Sequence, residues 1–175
     1  NEGMIPHDYE TELLAYSADG SYLMSMSGDV VHIWNIRQGG SVEQSFYAED
    51  TESDVFITAA DFSRDGSRLL IGYENSDVGL YALDTPDDPL HIFENLHDDR
   101  VINEIAFSPG GNHALTGDSD GVIKYLELGA EPLVLSTLRR HQDVILSLAF
   151  IPQTPLAISG GNDDVMYLWN LQESR

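Results

Sequence analysis

Histidine, serine and aspartate recur in the same chain order at two places in this sequence. The two sets are His7, Ser25 and Asp29, and His141, Ser159 and Asp163. A histidine that activates a serine while a carboxylate orients its ring is the arrangement of a nucleophilic hydrolase. Ser159, however, lies in Ile-Ser-Gly-Gly and not in the G-x-S-x-G turn that exposes a catalytic serine. Because catalytic sites do not usually occur in copies, the repetition favours a structural network over a triad.

Metal and cofactor chemistry finds little support in the other motifs. Asp118-Ser119-Asp120-Gly121 resembles the opening of a calcium loop, but Gly129 stands nine residues after Asp120, where that loop needs a bidentate acid. The chain has no cysteine, no histidine pair with zinc spacing on a helix, and no glycine run before a helix that would hold a phosphate. We therefore predict no catalytic residue, no metal and no cofactor.

The elements that hold these residues repeat four times. One landmark recurs at separations of 46, 45 and 43 residues, in Tyr16, Phe62, Phe107 and Phe150. A second recurs at separations of 47, 45 and 43 residues, in Trp34, Tyr81, Leu126 and Trp169. A period in the low forties built from short alternating strands indicates propeller blades and not helical solenoids. The predicted fold is all-β, with four four-stranded antiparallel blades.

Turn residues divide each unit into strands. Ser27-Gly28-Asp29 is one such turn, and outer strands are expected at 42–46, 90–93 and 133–138. Unit four has no outer strand of its own, because only six residues follow Trp169. We predict a single domain over 1–175, with blades at 8–47, 54–94, 99–139 and 142–173, and with 1–6 as an outer strand that closes a terminal blade.

These repeated segments resemble the WD-repeat β-propeller family over nearly the whole chain. Unit four is the best match, with 141–150, 158–163 and 167–170 following the family pattern; its closing pair is Trp169-Asn170 instead of Trp-Asp. In that family a chain of hydrogen bonds inside each blade joins four residues. They are a histidine before the first strand, a serine or threonine on the second strand, an aspartate in the next turn, and the tryptophan.

The resemblance implies this blade network in three units. Its members would be His7, Ser25, Asp29 and Trp34 in unit one, Thr116 and Asp120 in unit three, and His141, Ser159, Asp163 and Trp169 in unit four. In unit three, His97 lies one position early and Leu126 replaces the tryptophan. Unit two keeps none of the four residue types, so apolar packing is expected to hold it.

The charge balance excludes several partners. Thirty acidic residues stand against eight Lys and Arg, giving a net charge of −22. Such a surface repels nucleic acid and anionic membranes, and no apolar run is long enough to cross a bilayer. We expect a soluble protein, with the cytoplasm favoured. Two interpretations of the acidity stay open: a basic protein partner, or an acidic coat that maintains solubility.

The resemblance also implies that the loops entering each first strand share one face with the turns between second and third strands. This face would carry sixteen of the thirty acids. Arginine and aromatic residues among them would anchor a basic partner. The predicted partner-binding residues are Asp8, Tyr9, Glu10, Glu52, Asp54, Asp77, Asp98, Asp99, Arg100, Asp118, Arg140 and Asp164.

Four blades are the lower limit for a propeller, and a lone arc would expose two apolar blade faces. We therefore expect half of a larger ring, completed by a second copy to eight blades or by another propeller segment. The predicted function is a non-catalytic scaffold for protein–protein interaction. The alternative is an enzyme with a calcium-assisted hydrolytic site in the propeller channel.

Overall fold

The protein folds into successive antiparallel β-sheets. The computed structural model describes residues 13–17, 19–27, 30–37, 41–47, 55–85 and 88–172, and these contain fifteen strands in four sheets and no helix. Within every sheet, hydrogen-bonded neighbours are also neighbours in the chain. The prediction of an all-β fold made of propeller-like blades is confirmed.

Blades one and two are four-stranded meanders. The strands of blade one are β1 (Leu13–Tyr16), β2 (Tyr22–Ser27), β3 (Val30–Asn35) and β4 (Ser41–Tyr47). Those of blade two are β5 (Ile57–Phe62), β6 (Arg68–Tyr73), β7 (Val78–Ala82) and β8 (His91–Phe93).

Blade three has four strands, and blade four has three within the part of the chain that the structure describes. The strands of blade three are β9 (Ile102–Phe107), β10 (His113–Asp118), β11 (Val122–Glu127) and β12 (Leu133–Arg139). Those of blade four are β13 (Ile145–Phe150), β14 (Leu156–Gly161) and β15 (Met166–Asn170). The outer strands expected at 42–46, 90–93 and 133–138 lie at β4, β8 and β12. Residues 1–6, predicted to close a terminal blade, lie outside the described residues.

One turn type joins the first and second strands of blades one to three. Gly20, Gly66 and Gly111 each take a positive φ near 70°, and each amide donates to the carbonyl of the serine three residues earlier. The left-handed backbone favours glycine here because it has no Cβ to clash. In blade two the Ser63 and Ser67 hydroxyls donate to Asp65, and these hydrogen bonds lower the pKa of Asp65 to about 2.

The apolar core is divided among the junctions between blades. One cluster joins blades one and two, a second joins blades two and three, and a third joins blades three and four. Among the described residues, no such cluster joins blade four back to blade one, so the blades form an open arc. The first landmark aromatics, one from each blade, line a common cavity of about 440 Å³.

Candidate functional site

Blade four contains a buried chain of hydrogen bonds built from His141, Ser159, Asp163 and Trp169. His141 Nε2 lies 2.7 Å from Ser159 Oγ, and His141 Nδ1 lies 2.9 Å from both carboxylate oxygens of Asp163. Trp169 Nε1 donates to Ser159 Oγ over 2.8 Å. The structure therefore brings together the four residues that the family pattern selected in this blade.

The direction of each hydrogen bond in this network follows from which groups can donate a proton and which can only accept one. A carboxylate only accepts, so His141 Nδ1 donates to Asp163. Ser159 Oγ accepts from Trp169 and gives its own proton to His141 Nε2. Ser159 is fully buried at 0% exposure, so no substrate carbonyl reaches its oxygen. The arrangement has the connectivity of a hydrolase triad but acts as a tie between the loop at His141 and strands β14 and β15.

The charge on Asp163 is held by several donors. Burial opposes ionisation of this carboxyl, but hydrogen bonds from His141 and from the Gln142 and Val165 amides together lower its pKa below the usual value. The same carboxylate thus fastens the loop before β13 to the turn before β15.

Blade three has a related network, but the carboxylate comes from Asp118 and not from Asp120. His97 Nδ1 lies 2.7 Å from Asp118 Oδ2, and His97 Nε2 lies 2.7 Å from Thr116 Oγ1. Asp120 instead accepts from Arg100 Nε over 2.5 Å. The prediction of Asp120 as a network member is corrected on this geometry.

The position of the histidine explains the change of carboxylate. His97 lies five residues before the start of β9, whereas His141 lies four residues before the start of β13. In blade four the ring lies against Gly161, where a Cβ would be 2.6 Å from His141 Nδ1. The equivalent of Gly161 in blade three is Asp118, whose side chain takes that space beside the ring. The register with the first strand shifts at this point in both blades, so the side chain at this position makes the difference.

Blades one and two differ from this pattern. In blade one Trp34 Nε1 donates to Ser25 Oγ over 2.8 Å, while His7 and Asp29 lie outside the described residues. In blade two the hydroxyls of Tyr73 and Tyr81 lie 2.8 Å apart in a buried pair. The family pattern does not predict this pair, because Tyr73 lies two residues after the second-strand position at which the family has its serine or threonine.

The loops that carry these networks form a continuous surface, which we call the acidic rim: residues 74–77, 94–100, 118–121, 140–144 and 162–165. Polar contacts join neighbouring loops. The Asn95 amide donates to Asp77 Oδ1 over 2.7 Å. The His97 amide donates to Ser76 Oγ over 2.9 Å, and Arg100 pairs with Asp120. The rim is therefore a fixed surface and not a set of independent turns.

The structure separates the predicted partner-binding residues into three groups. Asp98, Asp99 and Asp164 are exposed. Asp77 is half-buried and binds the Asn95 amide, whereas Asp118 is 1% exposed and is occupied by His97, so the prediction of Asp118 as a partner contact is corrected. The remaining acidic and aromatic predictions lie outside the described residues: Asp8, Tyr9, Glu10, Glu52 and Asp54.

Cations are also gathered at the rim. Arg140 lies 5.8 Å from the ring centre of Tyr167 and 5.9 Å from that of Trp169, which is within the range of cation–π attraction. Arg100, Lys124 and Arg139 line a polar cavity of about 150 Å³ together with Asp118 and Asp120. This mixed patch was not predicted, since the three cations come from separate segments of the sequence.

Two carboxyl groups lie where the first strands of neighbouring blades meet. Asp61 on β5 accepts from the Phe107 amide on β9 over 2.7 Å, and Glu104 on β9 accepts from the Leu148 amide on β13. Burial raises the pKa of Asp61 to about 6. Burial, with the nearby charge of Asp61, raises the pKa of Glu104 to about 7. These ties between blades were missed because nothing in the repeat pattern marks them.

The described residues form no evident metal-binding site. No group of three or more His, Asp or Glu side chains there is placed to hold an ion. Both oxygens of Asp118, the first residue of the calcium-like segment, are occupied by His97 and by the Asp120 and Val122 amides. The described part of the chain also includes no helix that is long and apolar enough to span a bilayer.

Comparison with known proteins gives a consistent family match. The WD domain, G-beta repeat family matches residues 88–125 and 133–170; the first range contains β9 and β10 of blade three, and the second contains the three described strands of blade four. The chain is 26% identical over 164 residues to Cell division cycle 20.4, cofactor of APC complex, of Arabidopsis thaliana, covering 93% of this chain and 35% of that protein.

Two human proteins are similar in the same way. The WD repeat and SOCS box-containing protein 1 is 26% identical over 148 residues, covering 83% of this chain and 33% of its own length. The kinesin-like protein KIF21A is 24% identical over 164 residues, covering 90% of this chain and 9% of its own length. The chain thus spans about a third or less of the length of these curated relatives.

Proposed function

We propose that this chain, which is a WD-repeat protein with G-beta repeats at 88–125 and 133–170, is a non-catalytic scaffold that binds a basic protein partner on its acidic rim. The observation that carries the proposal is the set of exposed carboxylates on a rim whose loops are fixed to one another. A basic peptide then meets charges that are already positioned, which lowers the ordering cost of binding.

The backbone at Asp98 and Asp99 supports a role for their charges. Both residues take a left-handed φ, of 55° and 63°, and both side chains are exposed. Glycine adopts this backbone without the steric cost that a Cβ brings. The exposed carboxylates make few of the contacts that stabilise the fold, so their presence at two successive strained positions fits a surface contact.

Arg140 supplies the geometry of an anchor beside these charges. Its guanidinium lies over Tyr167 and Trp169, so its position is set by aromatic contacts. Arginine and aromatic side chains contribute much of the energy of protein interfaces. One relative is described as the cofactor of a complex, and we extend to this chain only the general role of working through other proteins.

Assembly is part of the same proposal. The open arc joins another blade-bearing chain by blade-to-blade contact, either a second copy or another propeller segment. A cytoplasmic location, favoured by composition, stays a prediction.

A charge-reversal experiment tests the binding proposal. The Asp98→Lys/Asp99→Lys double variant changes the rim, and Asp84→Lys/Asp88→Lys makes the same change in net charge at exposed positions outside the rim. Affinity for a labelled Lys/Arg-rich peptide is measured by fluorescence anisotropy at several salt concentrations. We expect roughly tenfold weaker binding for the rim variant, a much smaller effect for the control, and weaker binding of the wild type as salt rises. Equal losses in both variants would show a diffuse effect of net charge and overturn the proposal.

A further inference from the structure

A small cavity between blades two and three gathers three cations in a chain that has few. Arg100 on the loop before β9, Lys124 on β11 and Arg139 at the end of β12 all line this cavity, which has a volume of about 150 Å³. The chain has eight Lys and Arg residues, and Lys124 is its one lysine. Three like charges at one place repel one another unless anions neutralise them. The carboxylates of the cavity itself are the first source of that negative charge to consider.

Two of the three carboxylates that line the cavity are already bound. Asp118 accepts from the histidine ring of the blade-three network over 2.7 Å and from two backbone amides, and Asp120 accepts from Arg100 Nε over 2.5 Å. Among the described residues, neither Lys124 nor Arg139 forms an ion pair with an acidic side chain. These two positive charges are left for a group that comes from outside the chain.

The strand register places the two unpaired cations on one side of the cavity. Lys124 faces Thr116 across the β10–β11 pair, and Arg139 faces the residue two positions before Lys124 across the β11–β12 pair. Side chains that lie opposite each other, or two apart on one strand, share a face of the sheet. This is the face that the loop 94–100 covers, since a ring from that loop binds Thr116 Oγ1. Arg100 comes from the same loop, so the cations reach the cavity from two sides.

We propose that this cavity is a binding site for a phosphate group, held by Lys124 and Arg139 from the sheet and by Arg100 from the loop. Asp120 binds Arg100 through Nε alone, so the two terminal nitrogens of that guanidinium are left for the ligand. A carboxylate has two oxygens in one plane, whereas a phosphate group has at least three free oxygens in a tetrahedral arrangement and a charge of about −1.5 to −2. Donors that converge from two sides match the phosphate better, and arginine suits bidentate contacts to it.

The net charge of −22 opposes the approach of an anion, but salt screens the part of that charge that is distant. At about 0.15 M ionic strength the screening length is about 8 Å, so acids on other blades contribute little to the potential in the cavity. Asp98 is the carboxylate of the cavity lining that stays exposed, and it opposes the phosphate at short range. The site selects negative groups where the acidic rim selects positive ones, so it does not depend on the basic partner proposed above.

Titration of the wild-type chain with inorganic phosphate, followed by two-dimensional amide NMR, tests the site. At about pH 8 and a constant ionic strength of about 0.15 M, we expect the amide signals of Arg100, Lys124 and Arg139 to shift and to saturate. Half-saturation is expected at about 1–10 mM phosphate. Acetate at the same ionic strength supplies a planar carboxylate, and it should bind at least roughly tenfold more weakly.

Variants that change one charge locate the ligand. Lys124→Gln and Arg139→Gln should each weaken phosphate binding roughly tenfold or more, because each removes one of the two unpaired cations. Arg64→Gln is the matched control: it removes one positive charge at an exposed position on the turn between β5 and β6, and the affinity should stay that of the wild type. Asp98→Asn should strengthen phosphate binding about threefold, and it should weaken binding of the basic peptide.

A short phosphoserine peptide separates the two sources of a phosphate group. If the group belongs to a protein partner, the peptide should bind roughly tenfold more tightly than inorganic phosphate, and its unphosphorylated form should not bind. Equal affinity for the two probes would identify the free ion as the ligand.

Three results would each overturn the phosphate site: signals that move linearly without saturation, equal binding of acetate and phosphate, or Gln variants at Lys124 and Arg139 that bind like Arg64→Gln. None of these results bears on the basic-partner proposal, whose own test is the charge reversal at Asp98 and Asp99.

Discussion

Blade three and blade four are built alike, but within the described residues only blade three of this pair packs against a blade on each side. Ile123 and Met166 occupy the same position of the third strand, and they are 0% and 77% exposed. Gly117 and Gly160 match on the second strand; a Cβ added at Gly117 would lie 2.5 Å from Ile145, whereas one added at Gly160 would meet nothing within 4 Å. The difference teaches that the repeat encodes a junction surface on every blade, whether or not the next blade is present. An apolar residue in this repeat therefore stabilises the fold only where a neighbour covers it.

The largest expected effect comes from truncating the paired positions. Ile123→Ala opens a cavity in the junction between blades three and four, so the free energy of unfolding should fall by about 2–5 kcal/mol. Met166→Ala removes an exposed side chain and should change it by about 0.5 kcal/mol or less. Urea unfolding of the two variants at low salt and low protein concentration measures both values. Equal losses would contradict the assignment of Met166 to an uncovered face.

The hydrogen-bond networks of the two blades give the next comparison. Ser159→Ala leaves both the Trp169 indole and the His141 ring without their partner, whereas Thr116→Val affects only the ring of His97. We expect losses of about 2–3 kcal/mol for Ser159→Ala and about 1–2 kcal/mol for Thr116→Val. Thermal unfolding followed by circular dichroism provides the ranking. A larger loss in Thr116→Val would show that the indole bond of blade four contributes little.

The last comparison concerns pH and the junction carboxyl Glu104. Its pKa is raised to about 7 in the folded protein from an ordinary value of 4.5, so folding takes up a proton between these two values. The contribution of Glu104 to stability is therefore greatest below pH 4.5 and is lost as pH rises through 7. Glu104→Gln keeps an oxygen that accepts from the Leu148 amide and removes the titration.

Comparing Glu104→Gln with the wild type isolates this one group from the general acidity of the chain. The variant should be more stable than the wild type at pH 8, and the difference should shrink as pH falls towards 5. Chemical unfolding at a series of pH values gives the difference directly. A difference that does not vary between pH 5 and pH 8 would mean that Glu104 titrates normally in the folded state.

The sequence predicted the blades well because large apolar landmarks recur at a nearly constant spacing on the first and third strands of each blade. It also selected the four members of the blade-four network, since the histidine, serine, aspartate and tryptophan all sit at their usual spacing. It chose Asp120 where the structure uses Asp118, because the family pattern specifies only the turn aspartate; the residue equivalent to Asp118 in blade four is Gly161, and the register shift is the same in both blades. Residue spacing does not show which of two nearby carboxylates reaches the histidine ring.

Contacts between residues from separate segments of the chain could not be predicted from the spacing of residues in the sequence. The hydroxyls of Tyr73 on β6 and Tyr81 on β7 meet although the two residues are not opposite each other in the strand register. The patch of Arg100, Lys124 and Arg139 forms only where three segments of the chain meet. The burial of Asp118 also depends on the fold, because an aspartate in a turn is ordinarily exposed. These features depend on how the sheets pack against one another, which residue spacing does not specify.

Oxidation of the methionines tests the uncovered junction surface most directly. Met24 and Met26 are 0% and 4% exposed, and Met166 is 77% exposed. Brief treatment with peroxide followed by mass spectrometry reports the rate at which each of these side chains is oxidised. We predict fast oxidation of Met166 and slow oxidation of Met24 and Met26, because only the first of these side chains is open to solvent. A Met166 that is oxidised as slowly as Met24 would contradict the account.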